Sequence, residues 1–153
     1  MITEIDSQIY HAETEYLSMT DLGVFKSQIL YLEERLKVYE QLRSQETEIF
    51  QYVSNQIAQG FPEEPETLVK QALKHWILIL RYCGLAMLAN DSRMLQQRIL
   101  EWLPEQIEAR QTQMLEKHLY SCLQKRLKKL LGNEQFFILQ PYLEQSKKAL
   151  LTS

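Results

Sequence analysis

Leu73–Asp91, LKHWILILRYCGLAMLAND, decides the fold. From Trp76 to Ala89 it carries one charge, Arg81, and no proline. A segment apolar on nearly every side belongs in the middle of a protein or in a bilayer. Crossing a bilayer takes about 20 apolar residues, and this run is shorter and charged near its middle. It therefore reads as a central helix that other helices wrap, with no membrane span.

The flanking sequence supplies those wrapping helices. Residues 2–16 place Ile2, Ile5, Ile9 and Ala12 at helical spacing. Ser18-Met19-Thr20-Asp21 reads as a capping sequence, with Asp21 reaching back to the Ser18 amide. A helix from about Met19 to Arg43 follows, striped by Leu22, Phe25, Ile29, Leu32, Leu36 and Tyr39. Ser44 is the expected cap of a further helix carrying Ile49, Val53 and Ile57, which Gly60 stops ahead of Pro62 and Pro65. The central helix is expected over roughly 66–89. Pro104 then divides the next stretch into two pieces. A helix from about Glu105 or Gln111 to Leu131 carries Leu115, Leu119, Cys122, Leu123, Leu127 and Leu130, and Gly132-Asn133 ends it. The last helix holds Phe136 to Leu150 and is kinked or restarted at Pro141.

Composition narrows the class. The 153 residues suit one domain with a real core. Hydrophobic content of 45% and charged content of 24% are those of an ordinary globular protein. Four glycines and four prolines leave little material for hairpins, so the fold is all-α. A net charge of −3 and a pI near 5.7 argue against nucleic acid as the main partner, because phosphate binding needs clustered positive charge. Cys83 and Cys122 form no metal-spaced pair and read as buried thiols in a reducing cytosol. The N-terminus MITEIDSQIYHAETE lacks the basic head and apolar run of a signal peptide, which makes a cytoplasmic location the expectation.

Several spacings match a known family. Ala12-Glu-Thr-Glu-Tyr-Leu-Ser-Met-Thr-Asp-Leu22 is similar to an A-x-x-x-x-Y/F-L-S-x-x-x-L pattern, and Glu34-Arg-Leu36 continues the match. Ile79-Leu-Arg-Tyr82, Asn90-Asp91 and Leu95-x-x-Arg98-x-Leu100-x-x-Leu103 look like I-L-R-Y, G-D and L-x-x-R-x-L-x-x-L at identical spacing. The chain thus resembles the phycobiliprotein branch of the globin fold. The resemblance implies a single globin-like domain over 1–153, with two extra N-terminal helices over 1–31 ahead of a globin core over 32–153.

The departures fall at the pigment position. Where the family carries C-L-R-D, this chain reads Ala72-Leu73-Lys74-His75. The family cysteine holds a linear tetrapyrrole, a bilin, by a thioether. The arginine pairs with a propionate, and the aspartate accepts from pyrrole N–H groups. No thioether can form at Ala72, and Cys83 lies about three turns further along, at roughly 1.5 Å rise per residue. The connection from Gly60 to Ala72 lacks the family's P-G-G-N-A-Y loop, and His11 replaces an aspartate that pairs across subunits. These departures are similar to those of the bilin biosynthesis-associated globins. The resemblance therefore implies a non-enzymatic protein of bilin metabolism, with any bilin held non-covalently.

Lys74 and His75 are the candidate cofactor-binding residues at that position, Lys74 toward a propionate and neutral His75 toward a pyrrole N–H. Tyr82, seven residues on, faces roughly the same way. Against this, a lone histidine and large aromatics such as Trp76 are more often core. Haem through His75 or His118 is the weaker alternative. Arg81 needs a carboxylate, with Glu13 or Glu15 expected. Ile5, Ile9, Glu13, Leu17, Phe25 and Arg81 make up the candidate partner face. It would serve a homodimer or a contact with a phycobiliprotein-like protein or bilin enzyme. The basic run from Lys117 to Lys129 reads as a solvated face late on its helix. No catalytic triad, phosphate loop or metal-spaced cluster is present.

Overall fold

The computed structural model describes residues 3–14 and 19–151, with side chains over 4–9 and 21–151. In chain order the elements are α1 (Thr3–Thr14), α2 (Met19–Gly60), α3 (Glu66–Ala89), α4 (Ser92–Leu95), a π-helical turn (Gln96–Leu100), α5 (Leu103–Arg110) and α6 (Gln113–Leu151). Among the described residues there is no strand, in agreement with the all-α expectation.

α3 occupies the middle, for the reason its composition gives. Ala72, Trp76, Ile79, Leu80, Cys83, Ala86 and Met87 are buried, and α2 and α6 both pack on it and on each other. Each large apolar side chain buried this way contributes about 1.5–3 kcal/mol. By length and apolar content α3 is the one described helix able to cross a bilayer, but here it is the core of a helical protein. Gly84 lets α2 come close, since a Cβ there would meet the Tyr39 ring at 3.3 Å. Asn90 closes α3 in the left-handed conformation, φ 53°, and Asp91 donates its N–H to Ala86 O at 2.9 Å. The Asp91 carboxylate then accepts from the Arg93 N–H at 3.0 Å and caps α4.

Two expected boundaries are corrected. α2 runs unbroken through Ser44 for 42 residues, or about 60 Å at 1.5 Å per residue. Ser44 does not cap a new helix, because its hydroxyl donates back to Gln41 O at 3.2 Å within the same helix. Gly60 does end α2. The interruption of α6 falls at Gly132 (φ 78°, ψ 171°), whereas Pro141 lies inside the helical run. Pro104 stands in the first turn of α5, where its missing N–H is harmless, and Gln111 (φ 54°) closes that helix. The capping contact expected between Asp21 and Ser18 lies outside the described residues.

Gly132 supplies a direct test of the kink. Nothing lies within 4 Å of a Cβ added there, so the cost of Gly132→Ala comes from the backbone alone. A backbone region used almost only by glycine costs about 1–3 kcal/mol for other residues. Urea denaturation is expected to show that loss. Gly23→Ala, in an equally open place at ordinary φ, is expected to leave stability unchanged or raise it by up to about 1 kcal/mol.

Candidate functional site

The helix turn that carries the candidate cofactor-binding residues points most of them into the core. Ala72 is buried, Lys74 is exposed, and His75 is buried. His75 Nδ1 lies 3.4 Å from Glu116 Oε1, and its Nε2 lies 3.2 Å from the Gln71 side-chain nitrogen. Facing a carboxylate, Nδ1 donates its N–H to Glu116 Oε1, while Nε2 meets the Gln71 amide. The Trp76 indole N–H donates to the other carboxylate oxygen, Oε2 of Glu116. Trp76 also meets the Tyr120 ring, with centroids 5.4 Å apart. Glu116 has no exposed surface, so its two oxygens are satisfied by two ring N–H groups rather than by water.

These residues do not fit a bilin held at position 72. Ala72 offers no thiol, and the His75 imidazole is turned onto Glu116. Tyr82 stands apart from this cluster. It lines a cleft of about 720 Å³ with Leu85, Asp91, Arg93, Met94, Gln97 and Arg98, and neither Ala72, Lys74 nor His75 contributes to it. The π-helical turn forms part of that wall, and Trp102 donates its indole N–H to Arg98 O at 2.6 Å. Arg93 Nε is held by Asp91 Oδ1 at 3.2 Å, and the Arg93 backbone N–H first, with this side-chain contact second, keeps the Asp91 carboxyl below its ordinary range.

Arg81 finds its carboxylate in Glu46 of α2, not in Glu13 or Glu15. Nε and Nη2 reach Oε1 and Oε2 at 2.7 and 3.0 Å, a two-pronged pair on the surface. The expectation failed because α2 continues past Ser44 and carries Glu46 alongside α3. Of the candidate partner face, Ile5 and Phe25 are half-buried and Ile9 is exposed, while the Glu13 and Leu17 side chains lie outside the described residues. Farther along α2, Arg35 is buried with the Tyr31 ring 4.9 Å from its guanidinium. Glu4, Gly23, Val24, Ser27, Gln28, Tyr31 and Arg35 line a second cleft of about 730 Å³ between α1 and α2.

The remaining candidates are structural. His118 packs its ring on Phe61 at 5.1 Å, and its Nε2 lies 2.8 Å from where a Cβ on Gly60 would sit. Burial pushes the Cys83 thiol up to about 12, against a weaker opposing hydrogen bond with Ser146, so it is no nucleophile at neutral pH. Among the described residues no group of three His, Cys, Asp or Glu is placed to hold a metal. The residues that sequence reasoning passed over are Gln28, Arg35, Glu46, Gln71 and Glu116. Two of them left a signal: Glu116 stands in the apolar series with Leu119, Leu123 and Leu127, and Arg35 in the series with Val38 and Leu42.

A family model described as "Phycobilisome protein" matches residues 7–150 of the chain. No curated protein matches it.

Two measurements test this geometry. Trp76→Phe keeps most of the volume and removes the N–H, leaving Glu116 Oε2 buried without a donor. A loss of about 1–3 kcal/mol is expected in urea denaturation at pH 7. For Glu46, the hydrogen bond from Arg81 holds the folded-state carboxyl below its ordinary value of 4.5. The pair's stabilisation is therefore present above pH 4.5 and is lost as pH falls through the lowered value. Glu46→Gln is expected to be less stable than wild type by under about 1 kcal/mol at pH 7, as for other surface pairs. That gap should close on acidification.

Proposed function

The chain belongs to the phycobilisome protein family, and from that premise we propose that it is a non-enzymatic, cytoplasmic globin of bilin metabolism that acts by docking through its N-terminal helical pair. Members of the family are generally non-enzymatic pigment-binding proteins, and they typically oligomerise. One observation carries the reading. Among the described residues, six of the ten large exposed apolar side chains lie on α1 and the first half of α2: Ile9, Leu22, Val24, Leu30, Tyr31 and Leu36, with Leu30 62% exposed; Leu85, Trp102, Met114 and Phe137 lie elsewhere. Leu22, Leu30 and Leu36 fall within about 120° of one another around α2, and an exposed apolar face of this kind marks a contact surface.

The occupant we assign is a second copy of the chain. Two α2 helices crossing antiparallel near Leu30 bring Lys26 of one copy toward Glu33 and Glu34 of the other. A two-fold contact needs such self-complementarity, and the apolar strip supplies its desolvated centre. The position at Ala72 makes no covalent bond to a pigment under this reading.

A second reading, a linear tetrapyrrole held without a covalent bond, draws support from the clefts away from Ala72. Each is of a size suited to a small-molecule ligand. Bilin binding belongs to the family, generally through a covalent bond, and with no thiol at position 72 the version proposed for this chain is non-covalent.

Light scattering tests the docking reading. Wild type is expected at twice 18.2 kDa at tens of micromolar. Leu30→Glu combined with Leu36→Glu is expected at 18.2 kDa with helical content intact, its dimer weakened by roughly 100-fold or more. A wild-type monomer at every concentration would sink the reading.

A further inference from the structure

Arg35 is a full positive charge that is only 6% exposed, and among the described residues no carboxylate pairs with it. Its Nε has no acceptor. Taking a guanidinium out of water costs several kcal/mol unless an anion or a set of acceptors replaces the water. The Tyr31 ring at 4.9 Å offsets only part of that. A second polar atom close by is equally unserved: Gln28 Oε1 is buried with no donor. Both residues line the same cleft of about 730 Å³ between α1 and α2, a usual size for a small-molecule site.

The unmet groups define what is missing. Among the described residues Arg35 lacks an acceptor carrying negative charge, and Gln28 Oε1 lacks an N–H or O–H donor. The rest of the wall includes Gly23, Val24 and the Tyr31 ring, and Gly23 leaves open space where a Cβ would stand. Glu4 also lines the cleft, its carboxylate held by Asn90 Nδ2 at 3.0 Å. That negative charge turns the anionic end of a ligand toward Arg35. An acidic side chain from a docked protein would answer Arg35 and leave Gln28 without a donor.

We propose that the α1–α2 cleft binds a small organic anion that also bears an N–H or O–H donor on a flat apolar body, with the anion on Arg35 and the donor on Gln28 Oε1. A linear tetrapyrrole, with its propionates and lactam N–H groups, is one member of that class. The inference stands on Arg35 and Gln28 and not on that identity, nor on self-association.

The probe is 8-anilinonaphthalene-1-sulfonate, which combines a sulfonate, an anilino N–H and a naphthalene ring, titrated by fluorescence into the full chain. Wild type is expected to bind it saturably at one site. Arg35→Met is expected to weaken binding roughly 10- to 100-fold, and Gln28→Leu roughly 5- to 10-fold. Unliganded Arg35→Met is expected to be as stable to urea as wild type or more so, because it removes an unpaired buried charge. Displacement of the probe by biliverdin but not by biliverdin dimethyl ester would assign a tetrapyrrole as an occupant. An ester as effective as the acid would overturn the role of the anion. Probe binding that is absent, or equal in wild type and both variants, would overturn the site. A destabilised Arg35→Met that binds as wild type does would make the residue structural.

Discussion

The removal of α3 from water is the constraint to which the remaining elements answer. A helix apolar on nearly all sides can be satisfied only by neighbours on several sides. α2 and α6, each spanning about a quarter of the chain, are arranged to provide them. Gly84 and the left-handed residue Asn90 follow from the same demand. The first permits close approach of α2, and the second ends the helix cleanly so that the chain can return over it. The short elements from α4 to α5 are the consequence, a compact corner between two long packing surfaces.

Polar groups inside this framework fall into two kinds. Glu116 is buried completely and fully served, with an indole and an imidazole each giving it one N–H. Such a cluster fixes how α3 and α6 sit on each other, since a sliding of either helix would strand a carboxylate. Arg35 is buried nearly as well, and among the described residues an aromatic face is what its charge meets. The first kind is what structural selection leaves behind. The second is a standing cost, and proteins retain such costs mainly where something else benefits from them.

Periodicity and end signals carried the fold well in the sequence. The bounds of α3 could be read from its apolar run and its Asn90-Asp91 stop, and Gly60, Pro104 and Gly132 each mark a real boundary. Ser44 misled because a serine hydroxyl bonds equally well to its own helix as to a new one, and nothing local distinguishes the two. The site was less legible. Which carboxylate meets Arg81 depends on how α2 lies against α3, a distance of 35 residues in sequence. His75 could be named as unusual, but the direction of its ring depends on Glu116, 41 residues away. The charges at Arg35 and Glu116 broke apolar stripes, and that was the available clue. A charge inside a stripe says that something must compensate for it, not what does.

The continuity of α2 has a geometric consequence. Its first third presents the apolar strip and its last third, from Ile49 to Ile57, is locked into the core, with no hinge between them. The azimuth of the outer strip is therefore set by residue count alone. Each residue inserted or removed between Leu36 and Ile49 would swing the strip about 100° around the rod, so the spacing of that middle segment is held as tightly as any buried side chain.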